Sequence, residues 1–283
     1  MAVRAAITSE WARAARDARA FSVAGGWGQA SGVVAMPPER RSWLGGSRAT
    51  GAPRTVALVA PAWPGLEDED RASLVDDALC VGLVRAGVAA ARVETLELSG
   101  EPDASAWIDA IVDALQSAAH GAPTALAGSW LGGTACAVAS SRLPDLQFLL
   151  LACAPSAEVM SRRTPENEDD PQWAASPTLR LADRLAELSP LEAVTVQSRP
   201  VLLVQGAVDG SLPAAHLEAW RAALSATGRP ADAIEVAFAD AFFRPVSADG
   251  RVPEDDDRAL EVLADAVAGW CPRAVSRPAR RGR

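Results

Sequence analysis

The sequence predicts an α/β fold: a mostly parallel central sheet with helices on both faces, preceded by an N-terminal β-hairpin. Three observations support this prediction. Short apolar runs rich in β-branched residues are typical of buried parallel strands. Segments with an apolar stripe at helical spacing lie between these runs. The two kinds of segment alternate regularly, as a parallel sheet requires, and in such sheets ligands bind at the carboxyl ends of the strands.

The N-terminal segment has two parts. Residues 1–20 are rich in Ala and Arg and predict an amphipathic helix capped by Thr8 or Ser9. The stretch FSVAGGWGQASGVVAMPP (21–38) has two short strand-like runs around a Gly-rich turn, which predicts the hairpin. We expect residues 21–272 to form one α/β domain and residues 273–283 to form a disordered basic tail.

Six apolar runs are predicted to be strands of the sheet: TVALVAP (55–61), VAAARVETLEL (88–98), TALAGS (124–129), LQFLLLAC (146–153), PVLLVQG (200–206) and AIEVAFA (233–239). The predicted helices span about 70–87, 104–119, 131–141, 178–188, 213–226 and 255–270. Residues 156–195 interrupt the alternation. We interpret them as a short lid that contains an acidic, Pro-rich loop at 164–173.

Composition excludes several classes of function. The net charge of −9 argues against nucleic-acid binding, which usually needs a basic face. No apolar run approaches the ~20 residues of a membrane helix. The four cysteines lie far apart without a C-x-x-C pair, so we expect neither a metal nor a disulfide scaffold. All 27 basic residues are Arg, which excludes a lysine Schiff base, and we expect no cofactor. The N-terminus lacks the apolar core of a secretory signal, so a cytoplasmic bacterial protein is expected.

The stretch AGSWLGG (127–133) joins a predicted strand directly to a helix. Gly128 and Gly132 stand two residues before and after Trp130, where a sharp strand-to-helix turn needs small residues. Together with VLLVQGAVDGSLP and VAFADAFF, this order resembles the α/β-hydrolase superfamily over residues 54–270. It is closest to the dienelactone-hydrolase-like and small bacterial acyl-hydrolase-like members. The resemblance implies a serine, an acid and a histidine in that chain order.

Two of the three matching positions have lost their chemistry. Trp130 stands at the nucleophile position, Asp209 at the acid position and Ala241 at the position of the histidine. Indole cannot replace a hydroxyl, and a methyl group accepts no proton. Because the members of such a triad act as a unit, we predict that conventional serine-hydrolase activity is absent. Asp209 also has a purely structural interpretation, as the cap of the helix that begins near Pro213.

Other residues offer alternatives for catalysis. If the register of the motif is shifted by one residue, Ser129 is the nucleophile, although Leu131 is then bulky for a position that needs a small residue. In the other interpretation, the Ser129 hydroxyl bonds to backbone beside the turn. His120 precedes a strand, at the wrong edge of the sheet. His216 follows Asp209 in a helix and reaches at most the rim of the pocket. Cys153 lacks a visible base or positive neighbour that would form its thiolate.

The resemblance also implies a pocket at the carboxyl edge. Its oxyanion-hole-like amides are predicted to come from the residues Ala62, Trp63 and Leu131. Its wall is predicted to come from the side chains Trp63, Trp130, Cys153 and Phe242. These aromatic residues either plug the pocket or form a site for a small apolar or acyl ligand. A role in a protein assembly remains open, as does an unconventional enzyme, either an esterase using Ser129 or a cyclase or lyase using Asp209. The sequence does not predict the oligomeric state.

Overall fold

The computed structural model describes residues 2–37, 55–62, 69–99, 103–156, 177–196, 199–208, 214–228, 231–246 and 258–276. Trp63, Asp209 and the acidic loop at 164–173 lie outside the described residues. Their predicted roles therefore stay predictions.

Eight strands form one sheet. They are β1 (Arg19–Gly25), β2 (Gly28–Ala35), β3 (Val56–Ala60), β4 (Ala89–Leu98), β5 (Thr124–Ser129), β6 (Leu149–Ala152), β7 (Val201–Gly206) and β8 (Asp232–Val236). Their order is β1-β2-β4-β3-β5-β6-β7-β8. The β1–β2 and β2–β4 pairs are antiparallel, and the remaining pairs are parallel. The mostly parallel sheet and the N-terminal hairpin are thus confirmed.

Helices cover both faces of this sheet within the described residues. They are α1 (Ala2–Ala14), α2 (Glu69–Arg85), α3 (Ala104–Ala119), α4 (Trp130–Ser140), α5 (Pro177–Glu187), α6 (Pro190–Val196), α7 (Ala214–Ala226) and α8 (Arg258–Ser276). One apolar layer lies between the sheet and α3 to α7, with Trp107 and Trp220 buried in it. The other lies between the sheet and α1, α2 and α8, where Phe148 and Trp270 pack edge to face. None of the described helices combines the length and hydropathy of a membrane-spanning segment.

The two terminal helices differ from expectation. Helix α1 begins at Ala2, so the predicted cap at Thr8 or Ser9 is wrong, because both residues lie inside the helix. Packing fixes this helix: Ile7 and Trp11 are buried in the layer that also holds α2 and α8. At the other end, α8 continues to Ser276 and buries Ala274, so the first residues of the predicted 273–283 tail are helical.

Candidate functional site

The strand-to-helix turn after β5 has the geometry that the glycine frame predicts. Helix α4 starts at Trp130 with no intervening loop, and Trp130 has φ 51°. A Cβ on Gly128 would lie 2.7 Å from the carbonyl carbon of Gly132, and a Cβ on Gly132 would lie 2.3 Å from the carbonyl oxygen of Pro61. Strand, helix and the end of β3 therefore approach too closely for any other residue, and the turn is a nucleophile elbow in shape.

The indole of Trp130 occupies the tip of this elbow. Its ring packs against Phe242, with centroids 5.2 Å apart and planes inclined by 37°. The indole Nε1 is buried, and no described residue accepts a hydrogen bond from it. The structure thus brings together two of the predicted pocket residues, and their rings contact one another.

Asp240 holds the turn in which Ala241 lies. Oδ1 of Asp240 accepts hydrogen bonds from the backbone N–H groups of Phe242 (2.9 Å) and Arg244 (2.8 Å). Oδ2 accepts from Nε of Arg244 at 2.6 Å. Ala241 lies within this turn and is buried. The turn that contains Ala241 is therefore fixed by three hydrogen bonds to Asp240, and the assignment of Ala241 to the histidine position stays a prediction.

Two guanidinium groups fix the Phe242 end of the same turn. Arg71 of α2 donates to the carbonyl oxygens of Phe242, at 3.0 Å, and of Phe243. The Arg244 guanidinium lies over the Phe242 ring, 5.4 Å from its centroid. Phe243 itself has φ 54°, a strained conformation for an aromatic residue. Arg71 and Arg244 therefore both hold Phe242 where its ring contacts Trp130.

Cys153 directly follows β6 and belongs to the apolar layer between the sheet and α1, α2 and α8. It has φ 46° and is buried. Its Sγ accepts a hydrogen bond from the backbone N–H of Gly206 at 3.3 Å. With Trp130 and Phe243, it gives three residues at or beyond the carboxyl edge that hold positive φ without being glycine. Backbone strain of this kind is found most often at functional sites of proteins.

The Ser129 hydroxyl bonds to a side chain, whereas one interpretation of the sequence had it bond to backbone. Its Oγ donates to Oδ1 of Asp76, on α2, at 2.9 Å, and both side chains are buried. Burial raises the pKa of Asp76 to about 7. The Arg92 charge, the Ser129 hydroxyl and the backbone N–H of Ala62 oppose this rise, while the neighbouring Asp77 charge adds to it.

The amide of Ala62 is therefore already engaged. Its N–H donates to the Asp76 carboxyl, and its carbonyl oxygen accepts from the N–H of Gly132 at 3.0 Å. Leu131, the second predicted amide donor, lies fully buried in the first turn of α4. Of the two oxyanion-hole-like residues that the structure describes, one thus directs its N–H toward a carboxyl.

A second aspartate accompanies this pair. Asp77 is buried, and burial raises its pKa to about 6, against the opposing charge of Arg92. The Arg92 Nε lies 3.3 Å from Oδ1 of Asp77, and its Nη2 donates to Oγ of Ser73 at 2.6 Å. Sequence reasoning missed Asp76, Asp77 and Arg92. The available signal was an adjacent acidic pair inside the apolar helix SLVDDALCVGL.

A cavity of about 360 Å³ opens beside this cluster. Its described lining comprises Pro61, Ala62, Asp70, Ala72, Ser73, Asp76, Arg92, Val93, Glu94 and Leu96. These residues belong to the end of β3, the start of α2 and the second half of β4. The cavity adjoins the Ser129–Asp76 pair and is not lined by the Trp130–Phe242 pair.

Neither histidine completes a catalytic relay with Ser129. His216, in α7, is buried, and its Nδ1 accepts the backbone N–H of Ser156 at 2.9 Å. His120 is the exposed left-handed cap of α3, which precedes β5 at the opposite edge of the sheet. The hydroxyl of Ser129 bonds to a carboxyl instead. Within the described ranges, no three His, Cys, Asp or Glu side chains converge as a metal ion would require.

Comparison with solved structures identifies the fold. The chain is similar to Est1E from Butyrivibrio proteoclasticus, with 14% identity over 92% of this chain and 99% of that chain, at a TM-score of 0.60. It is similar to a thermostable esterase from Pseudomonas putida ECU1011, with 17% identity over 98% and 90% of the two chains, at a TM-score of 0.62. It is also similar to XC6422 from Xanthomonas campestris, an α/β serine hydrolase without lid, with 16% identity, 92% and 96% coverage and a TM-score of 0.55.

These similarities, with the sheet order and the elbow, show that the chain has the α/β-hydrolase fold. The predicted resemblance to this superfamily is thereby confirmed at the level of fold. No protein-family model and no curated protein matches the sequence. Fold does not establish chemistry, so the function has to be argued from the residues at the site.

Proposed function

We propose that this protein is a pseudohydrolase, an α/β-hydrolase-fold protein without serine-hydrolase chemistry, and that it binds a small molecule. One observation carries the proposal. At the elbow, an indole stands in the nucleophile position and packs on Phe242, while the adjacent hydroxyl of Ser129 is bonded to Asp76 and not to an imidazole. Acyl transfer by a serine needs a base that takes the hydroxyl proton and returns it to the leaving group. Neither of the two histidines, both within the described residues, stands in that relation to Ser129.

The cavity beside Asp76 is the better place for a ligand. The Trp130 and Phe242 rings contact one another between the elbow and the turn after β8, which favours the plugged interpretation of the aromatic pocket. By contrast, 360 Å³ lies within the range of ~300–1,000 Å³ that small-molecule sites occupy. Pro61, Ala72, Val93 and Leu96 are the larger apolar or methyl-bearing residues of the lining, and they offer contacts to an alkyl or acyl chain.

The loss of hydrolase chemistry is tested with a fluorophosphonate probe and with p-nitrophenyl acetate. We expect no covalent labelling and no hydrolysis above that of the Ser129→Ala variant. Labelling of Ser129, or turnover that disappears with Ser129→Ala, would contradict the proposal.

Binding in the cavity is tested by filling it. Ala72 lies in α2 and lines the cavity, so Ala72→Leu adds volume there with a residue that helices favour. Ligand-observed NMR with hexan-1-ol, hexanoate and hexylammonium covers a neutral, an anionic and a cationic head group on one chain. We expect at least one of the three to bind the wild type and to lose binding in Ala72→Leu. Absence of binding by all three refutes this part of the proposal.

A second candidate function rests on the Ser129–Asp76 contact. A carboxyl with a pKa of about 7, 2.9 Å from a hydroxyl, is a suitable general base near neutral pH. In this alternative, Asp76 takes the proton as the Ser129 oxygen attacks an acyl carbon, and it returns the proton to the departing alcohol. The same labelling experiment separates the two candidates, because here Asp76→Asn abolishes labelling as fully as Ser129→Ala.

Three further proposals come from the sequence. They are a cyclase or lyase activity that uses Asp209, a role as a subunit of a protein assembly, and a cytoplasmic location. A pulldown with the full chain as bait, followed by size-exclusion chromatography of the product, addresses the assembly. Turnover that Asp209→Asn removes and Ser129→Ala leaves intact supports the Asp209 chemistry.

A further inference from the structure

We infer that the cavity beside Asp76 binds a small organic cation, an amine or guanidine with a short apolar chain. The inference rests on the proposed function, since it names the ligand class of the same cavity. The cationic group would lie among the carboxyls of Asp70, Asp76 and Glu94, which line the cavity together. The apolar chain would lie near Pro61 and Ala72, which also line the cavity.

The charge of the lining favours a cation. Three carboxyls and a single guanidinium line the described part of the cavity. The guanidinium of Arg92 is already engaged, by Asp77 at 3.3 Å and by Ser73 at 2.6 Å. An anionic ligand would therefore meet repulsion from the three carboxyls, with a guanidinium that other groups already hold. A cation would be attracted by each of these carboxyls in its ionised form.

The arrangement of donors favours an organic cation over a metal ion. A metal ion needs several hard donors at about 2–2.6 Å from one point. The described acidic side chains do not converge in threes at such a point. An ammonium or guanidinium group tolerates carboxyls spread over a wider space, because its donors are directed outward. The apolar residues of the lining provide the contact that a bare ion cannot use.

Binding of a cation is linked to the ionisation of Asp76. The groups that act on its carboxyl are Asp77 on the same helix, Arg92 on β4, the Ser129 hydroxyl on β5 and the Ala62 amide after β3. The thiols of Cys80 and Cys136 are also close enough to feel its charge, but burial raises their pKa, so they stay neutral. Asp70 and Glu94 face it across the cavity.

The pH dependence follows from the pKa of Asp76, which is about 7. A bound cation favours the ionised carboxyl, so binding releases a proton at neutral pH. Alkylammonium ions keep their charge well above this pH, as lysine does with a pKa of ~10.4. If binding requires the ionised form, the affinity rises about tenfold between pH 6 and pH 8.

The test uses hexylammonium, hexan-1-ol and hexanoate with the full chain, and measures Kd by titration calorimetry at pH 6 and pH 8. The rim variant Asp70→Asn/Glu94→Gln removes two exposed charges of the cavity. Asp17→Asn/Asp145→Asn is the matched control, because it removes two exposed charges that do not line the cavity. We expect hexylammonium to bind best, about five- to tenfold more weakly to the rim variant and unchanged to the control.

The outcomes separate the inference from the proposed function. Preferential hexylammonium binding, with the tenfold rise in affinity and the loss in the rim variant, supports both. Binding of hexan-1-ol or hexanoate as tightly as hexylammonium, blocked by Ala72→Leu, refutes the cation and leaves the proposed ligand site in place. Hexylammonium binding that the rim variant and its control weaken equally is attraction to the net charge of the protein and refutes the inference. No binding by any of the three refutes both.

Discussion

Replacing Asp76 with asparagine is expected to stabilise the protein at alkaline pH. The Asp76 carboxyl is buried next to Ser129 and the backbone of Ala62, and both donate hydrogen bonds to it. Asparagine has the same shape and keeps an oxygen that accepts these bonds. The change therefore removes the cost of a buried charge and leaves the contacts of the carboxyl largely intact.

The size and the sign follow from the pKa of this carboxyl. The pKa rises from 3.8 to about 7, which corresponds to an upper limit of about 4 kcal/mol. The folded state holds this proton more tightly than the unfolded chain. The stabilisation is therefore complete below pH ~4, decreases as the pH rises toward ~7, and is absent above that value. Asp77, whose pKa is raised to about 6, acts in the same direction and stays in place in the variant.

Urea denaturation at pH 5, 6, 7 and 8, followed by tryptophan fluorescence, measures the effect. We expect the free energy of unfolding of Asp76→Asn, relative to the wild type, to increase by about 2–3 kcal/mol from pH 5 to pH 8. Asp145→Asn serves as the exposed control and should show no such change. A difference between Asp76→Asn and the wild type that is the same at all four pH values would refute the reasoning. The Ser129→Ala variant should lose this stabilisation at a higher pH than the wild type, since the hydrogen bond from Ser129 lowers the pKa of Asp76.

Three further predictions follow from the same edge of the sheet. Gly132→Ala should destabilise the fold by about 3 kcal/mol, because its Cβ would lie 2.3 Å from a carbonyl oxygen. Gly269→Ala in α8 is the control: its Cβ meets no atom within 4 Å, so it should stabilise the fold by ~0.5–1 kcal/mol. Thermal unfolding measures both effects. Asp240→Asn should cost about 1–2 kcal/mol in urea denaturation, since it weakens the bonds that hold its turn. The Trp130→Ser/Ala241→His double variant should still fail to hydrolyse p-nitrophenyl acetate, because the N–H of Ala62, a predicted oxyanion-hole donor, donates to the Asp76 carboxyl. Turnover by this variant would contradict this reasoning.

The sequence predicted those features that depend on local pattern. The alternation of apolar runs and amphipathic segments is a local property, and it located the strands to within a few residues, as for β4 at Ala89–Leu98. The elbow was predictable because close approach of strand and helix permits only glycine at Gly128 and Gly132. The extent of α1 was not predictable from its capping residues, because burial of Ile7 and Trp11 outweighs a cap.

The centre of the candidate site could not be predicted, because it depends on contacts between distant segments. Asp76 and Ser129 are 53 residues apart and meet only when α2 packs across β5. In the sequence, Asp76 and Asp77 indicate the solvated face of a helix with one apolar stripe. In the structure α2 is packed by α1, α8 and the sheet, so this acidic pair is buried as well. The same packing places the opening of the cavity along β4, where no sequence motif marks it.

The strained backbone of Trp130 at the elbow has a physical explanation. A non-glycine residue at φ 51° costs about 1–2 kcal/mol relative to ordinary backbone. Stacking of Trp130 on Phe242 returns about 0.5–1.5 kcal/mol, and burial of the indole surface adds to this. The strain at Trp130 is thus offset by packing. The elbow then acts as a structural joint that holds Ser129 against Asp76, on the α2 side of the sheet and beside the acidic cavity.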